Sequence, residues 1–166
     1  MKKLVFLVSV LILLAASYSE AQEMNNEMNE HSDHILKVPQ ELKWMDGPAS
    51  LPKGVKVTVL EGDLSQPGPF TFRAKLPANY KILPHFHPNI EHITVLSGAF
   101  HMGLGDIFDE SKATELPAGG FGVMEKGIHH FAFTKEETEI QVHSIGPWGI
   151  TYVNPSDDPR NRQATK

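Results

Sequence analysis

The sequence predicts an all-β protein, a sandwich or barrel of about ten short strands, and three features carry that expectation. Apolar side chains alternate with polar ones over Val55, Val57 and Val59 and again over Phe70, Phe72, Ala74 and Leu76, which is the two-residue period of a half-buried strand. Further short apolar runs follow at close intervals, each bounded by Gly, Pro or Asn, so that turns interrupt the chain before a helix could form. The composition, with 13 Gly, 12 Pro and 21% charged residues in a chain of 166, excludes a coiled coil, a collagen and a disordered protein. That length suits one core rather than two.

Taken in order, Lys2 and Lys3 precede an apolar stretch over 4–16, and Ser19-Glu20-Ala21 places small side chains where a signal peptidase reads. Residues 1–21 are therefore expected to be a cleaved export signal. The apolar stretch falls short of the roughly 20 residues that a spanning helix needs. The mature protein should begin at Gln22, carry no membrane anchor, and be periplasmic or secreted, with a bacterial source favoured by the short Lys-Lys head. Residues 22–36 are polar and without periodicity, and read as a flexible leader. Met24, Met28, His31 and His34 give that leader a second reading as a soft-metal tract.

The folded domain is expected over 37–154. Its strands are placed at 55–59, 70–76, 90–96, 99–104, 121–124, 129–134, 138–145 and 149–153, with a tight hairpin at Ser97-Gly98, where glycine supplies a positive φ. Residues 106–112 form the one expected helical turn, a surface insertion between strands. The polar tail 155–166 is expected to fray.

Charge and sulfur narrow the chemistry. A formal charge of −5, from 15 Lys plus Arg against 20 Asp plus Glu, supplies no basic surface for a phosphate backbone, so nucleic acid is not an expected partner. With no Cys, disulfide scaffolds, thiolate-held zinc and thiol nucleophiles are excluded. Any metal must be held by nitrogen and oxygen.

Such ligands are concentrated in Pro84-His85-Phe86-His87-Pro88-Asn89-Ile90-Glu91. Two imidazoles at i and i+2 project from one face of an extended chain, and a carboxylate four residues later can join them on one ion. Imidazole with carboxylate suits a divalent first-row metal (Fe, Mn, Zn, Ni or Cu) better than Ca or Mg. Solvated surface residues are the other reading of this segment.

The sequence resembles the cupin superfamily, whose first motif runs G-x5-H-x-H-x3,4-E-x6-G and whose second runs G-x5-P-x-G-x2-H-x3-N. His85, His87, Glu91 and Gly98 match the first, with Asn79 at the position of its leading glycine. Gly119, Gly127 and His130 match the second, with Glu125 in place of proline and Thr134 in place of asparagine. The resemblance covers about 55–153 and implies a small single-domain jelly-roll β-barrel. It also implies that His85, His87, Glu91 and His130 hold one divalent transition metal in the barrel mouth. On an octahedral ion these four ligands leave two positions open, whereas on tetrahedral zinc they leave none.

His129 competes with His130, since neighbours on a strand face opposite ways; the spacing from Gly127 favours His130. Phe131 and Phe133 then face outward, where an N-terminal strand or a second subunit must cover them, and a homodimer is the expected assembly. His92, His101 and His143 read as surface or hydrogen-bonded histidines, with His101 and Glu125 as possible helpers at the site. Phe72, Phe100, Met102, Met124 and Trp148 read as core and pocket wall. Two functions fit: a metal-dependent enzyme, dioxygenase-like or isomerase-like, on a small polar organic molecule, or a non-catalytic module that binds a small ligand or the metal itself.

Overall fold

In the computed structural model, which describes residues 34–162, the alternation in the sequence becomes two antiparallel sheets. The strands are β1 (Met45–Asp46), β2 (Lys56–Glu61), β3 (Gly68–Leu76), β4 (Lys81–Phe86), β5 (Glu91–Ser97), β6 (Ala99–Leu104), β7 (Thr114–Pro117), β8 (Phe121–Met124), β9 (His130–Thr134), β10 (Thr138–Gly146) and β11 (Thr151–Tyr152). One sheet runs β1-β2-β3-β10-β5-β8 and the other β11-β4-β9-β6-β7, the two layers of a jelly roll. The expected export signal over 1–21 and the leader through residue 33 lie outside the described residues, as do 163–166. No helix among the described residues is long and apolar enough to cross a membrane.

The core lies between the sheets and is built by period two. Phe70, Phe72, Ala74 and Leu76 of β3 and Ile140 and Val142 of β10 face Phe100 and Met102 of β6 and Ala132 of β9. Each large side chain so buried contributes about 1.5–3 kcal/mol relative to exposure. At the β5–β6 hairpin Gly98 has φ 72°, the left-handed conformation expected of it.

Strand β4 departs from the simple period, and that departure makes the site. Ile82 pairs with Ala132 but His85 pairs with His130, so the register slips by one between them. The extra residue is a β-bulge, tolerated at Pro84, which has no N–H to give to a ladder. Beyond the bulge the inward positions become His85 and, just past the strand end, His87. Without the slip both imidazoles would look away from the core.

Two departures from the cupin motifs find their reasons here. Asn79 has φ 61°, the left-handed region in which glycine is favoured and Asn is among the best-tolerated alternatives. Thr134 accepts a hydrogen bond from the Tyr80 N–H at 3.1 Å and donates to the Pro77 carbonyl at 2.6 Å, thereby holding the turn that contains Asn79.

The outward aromatic pair has a cover that the sequence reading did not anticipate. Phe131 and Phe133 are 0% and 2% exposed, because the excursion between β6 and β7 folds back and sets Phe108 on both rings, 5.0 and 5.7 Å between centroids. Lys81 fixes the excursion by pairing with Glu110 at 2.7 Å while its ammonium lies over Phe108. Gly103 makes room beneath, since a Cβ there would collide with the Phe131 ring. Neither an N-terminal strand nor a second subunit is needed for this face. The helical turn expected over 106–112 is a 3-10 turn at Glu110–Lys112.

The stretch after Asn154 forms two short turns through residue 162. The Asn154 side chain caps a 3-10 turn at Pro155–Asp157, and a helical turn follows at Pro159–Arg162. Asp158 holds Arg160, whose Nη2 donates to the Ile150 carbonyl at 3.2 Å.

Candidate metal centre

The end of β4, the start of β5 and the start of β9 bring four polar side chains into an apolar interior. His85, His87, Glu91 and His130 are 3%, 3%, 6% and 1% exposed. One ring nitrogen from each of the three imidazoles lies within 4.8 Å of the others, so these three could hold a metal ion. Glu91 Oε2 is 3.5 Å from Nε2 of His87 and 3.5 Å from Nε2 of His130. Burial at the strand register answers the choice between neighbours: His130 points in, while His129 points out, pairs with Asp106 at 2.6 Å and stacks on Phe86.

Backbone carbonyls set the orientation of all three rings. Nδ1 of His85 meets the Leu83 carbonyl at 2.8 Å, Nδ1 of His87 the Gly149 carbonyl at 2.7 Å, and Nδ1 of His130 the Ile128 carbonyl at 2.9 Å. A carbonyl only accepts, so each Nδ1 carries a proton, and in the neutral form of such a ring Nε2 is the atom with the free lone pair. This outer-layer arrangement is the one that metal-binding histidines use. Nε2 of His87 is buried with no hydrogen-bond partner. Glu91 Oε2 thus lies beside two Nε2 atoms, and when those rings are neutral the buried carboxylate is left needing a cation or a proton. A divalent metal fits the donor set and meets that requirement.

The remaining surroundings are apolar. The cavity beside the four residues holds about 50 Å³ of free space, and no Lys, Arg, Ser, Thr, Asn or Gln lines it. Burial pushes His85 well below its ordinary value of 6.5, with the charges of His130 and His87 adding to the effect. Burial also lowers His87, outweighing the opposing influence of Glu91. For Glu91 the burial penalty acts upward, but His87 and His130 together outweigh it and hold the carboxyl low.

The histidine shifts give a signed prediction for protein stripped of metal by a chelator. Unfolded histidines take up protons as pH falls through about 6.5, whereas folded His85 and His87 resist, so the unfolded state gains protons relative to the native one. Stability is then constant with respect to these two groups above that pH. Below it, stability falls by at most about 1.4 kcal/mol per pH unit for each histidine until their folded values are reached. Urea midpoints measured on either side of this window check the slope, and a midpoint that rises on acidification would contradict it.

The other sequence candidates lie elsewhere. His101 is buried on the outer side of β6, stacked on Phe133 at 4.6 Å and 3.1 Å from Glu115. His92 and His143 are cross-strand neighbours on the outer face of the six-stranded sheet. Neither His101 nor Glu125 lines the cavity. Phe72, Phe100, Met102 and Trp148 do line it, as expected, while Met124 packs against the core. The reading of Trp148 as wall was incomplete: its ring lies on His87 with centroids 4.3 Å apart and planes 15° from parallel. The bond from His87 to Gly149 spans 62 positions, and no local pattern signals it.

Comparison with known proteins agrees with this geometry. Residues 32–148 match the family described as the ChrR cupin-like domain. No curated protein matches the sequence. Among solved structures, the polyketide cyclase RemF from Streptomyces resistomycificus is similar at TM-score 0.61 and 19% identity, over 80% of this chain and 94% of that one. An RmlC-like cupin from Shewanella frigidimarina is similar at TM-score 0.53 and 15% identity, over 69% of this chain and 91% of that one. An oxalate oxidase is similar at TM-score 0.51 and 26% identity, over 76% of this chain and 67% of that one. These likenesses establish the fold, and one fold of this kind carries many activities.

Proposed function

The chain belongs to the ChrR cupin-like family, and on that basis we propose that it is an exported metal-dependent enzyme whose site is His85, His87, Glu91 and His130. The observation that carries the reading is the set of three buried imidazoles whose Nδ1 atoms are bound to carbonyls, leaving their Nε2 lone pairs beside a buried carboxylate. A divalent ion held there supplies Lewis-acid polarisation, or oxygen activation if it is redox-active. The protein's own part is to fix the four ligands, exclude water with the apolar wall, and select ligands by size.

That wall narrows the substrate. A sugar would leave its hydroxyls unpaired among aliphatic and aromatic side chains, at a penalty of about 1–3 kcal/mol for each buried group without a partner. The cavity suits a compact molecule with an oxygen-bearing head and an apolar body. Dioxygenase-like chemistry is favoured over isomerase-like chemistry, because the cavity lining offers no acid or base beyond the four proposed ligands. The same absence favours the second reading, a non-catalytic module that binds a small ligand, which needs neither acid nor base.

The test loads stripped protein with Fe(II) and follows oxygen uptake with catechol and small keto acids. Uptake that depends on both iron and substrate is the expected outcome. No uptake with any divalent metal, together with a native ligand recovered unchanged, would favour the binding module.

Export is supported by Lys2, Lys3, the apolar stretch over 4–16 and Ser19-Glu20-Ala21. A homodimer draws its support from Phe121, Val123 and Ile145, which are 56%, 38% and 55% exposed on the outer face of the six-stranded sheet. Native mass spectrometry of protein from its own compartment is expected to report a chain beginning at Gln22, one metal per chain and two chains. A mass that retains the first 21 residues would contradict export, and a single chain at tens of micromolar, about the range in which a standard interface persists, would contradict the dimer.

A further inference from the structure

The segment over 147–150 contributes Trp148 and Ile150 to the cavity lining and supports His87 from two directions. Its Gly149 carbonyl takes the Nδ1 proton, and the indole of Trp148 covers the face of the same ring, nearly parallel at 4.3 Å. The segment is held on several sides. Asn89 Nδ2 donates to the carbonyls of Ile145 and Pro147 at 2.8 and 3.0 Å. The backbone N–H of Trp148 donates to the Leu64 carbonyl at 2.7 Å, and Arg160 donates to the Ile150 carbonyl. Phe70 and Phe72 brace the indole from behind, at 5.7 and 5.8 Å. The indole is thus fixed against one imidazole of the cluster, while the rings of His85 and His130 have no such partner in Trp148.

This contact is not neutral toward metal. An imidazole whose Nε2 binds a divalent ion becomes electron-poor and carries part of the positive charge. An indole face is the most electron-rich surface available to a cationic group among the side chains, and the attraction strengthens when water is excluded. The stack therefore gains more from the loaded imidazole than from the free one, and that difference is binding free energy. We propose that Trp148 is a positioning residue for the metal centre, one that raises metal affinity by stabilising the charge His87 acquires on ligation. The inference rests on the metal reading of the site given above, and it assigns to Trp148 an electronic role in addition to that of pocket wall.

The test uses the full chain, stripped with a chelator and titrated with Co(II) against a coloured competitor. The sequence has two Trp, and Trp44 lies against Lys75 at 4.2 Å, away from the ligands. In a Trp44→Phe background, mono-, di- and trifluorinated tryptophan can then be placed at 148 alone, withdrawing electron density from the ring at almost constant shape. Affinity for Co(II) is expected to fall stepwise along that series, by about 3- to 10-fold at the end of it. Trp148→Leu is expected to weaken binding by about 5- to 20-fold, with Trp148→Phe between leucine and wild type. A role in packing alone would leave the fluorinated series flat, and a flat series overturns the proposal even if the leucine variant is weakened or fails to fold. Wild-type protein that takes up no Co(II) would remove the metal reading and this inference with it, whereas tight binding with a flat series removes only this inference.

Discussion

Replacing His130 with alanine is expected to lower retention of a divalent ion by more than about a hundredfold, while the same change at His129 leaves it unaltered. The two residues are adjacent and chemically identical, so any difference comes from where the strand sends them. His130 is 1% exposed, with its Nε2 turned toward Glu91 and its Nδ1 committed to the Ile128 carbonyl. His129 has a 38% exposed side chain and a partner, Asp106, that is itself largely in water. Losing that exposed pair should change stability by no more than about 1 kcal/mol. Elemental analysis after exhaustive dialysis against a weak chelator reads the retained metal for both variants. The reverse result would mean that the ligand had been assigned to the wrong neighbour.

One position further along β9 the expectation changes from metal to fold. Phe131→Ala should destabilise the domain by about 3–5 kcal/mol, a large share of the roughly 5–15 kcal/mol by which a domain is stable. The ring is 0% exposed on the outer side of the five-stranded sheet, with Phe108 above it and Gly103 below it. Its removal leaves a void that the pinned excursion cannot readily fill. The melting temperature should drop on the order of 10 °C or more. His85, His87, Glu91 and His130 keep their partners in this variant, so metal stoichiometry below the melting transition should stay at the wild-type value. A loss under about 1 kcal/mol would show that the outer aromatic layer contributes little to the fold. The paired results separate the inward and outward faces of a single strand.

Much of the candidate site could be read in the sequence because its proposed ligands depend on short spacings. His85, His87 and Glu91 fall within one strand end, one turn and one strand start, and Gly98 marks the hairpin that follows. Two of the three substitutions that weaken the motif match, Asn79 and Thr134, are conservative in function: one adopts the left-handed backbone and the other bonds the turn that contains it. What was not legible has physical causes. The bulge at Pro84 breaks the two-residue period, so β4 gave no alternating signal. β1 and β7 are short and largely exposed, and partners define them more than composition does. The cover over Phe131 and Phe133 comes from Phe108, in a segment with no periodicity of its own. The support of His87 by Trp148 and Gly149 exists only once the chain has folded. The ordered turns after Asn154 did carry a signal, since Asn154-Pro155 and Asp158-Pro159 each place a capping side chain before a proline at a helix start.

The central claim, that these four residues form one metal centre, is tested most directly by anomalous scattering from crystals of the protein as purified, with data on both sides of the absorption edge of whichever first-row metal elemental analysis finds. The expected map has one peak per chain, bounded by Nε2 of His85, His87 and His130 and a carboxylate oxygen of Glu91, at distances of about 2.0–2.2 Å. A map with no peak inside the barrel, or with its only peak elsewhere on the chain, would contradict it.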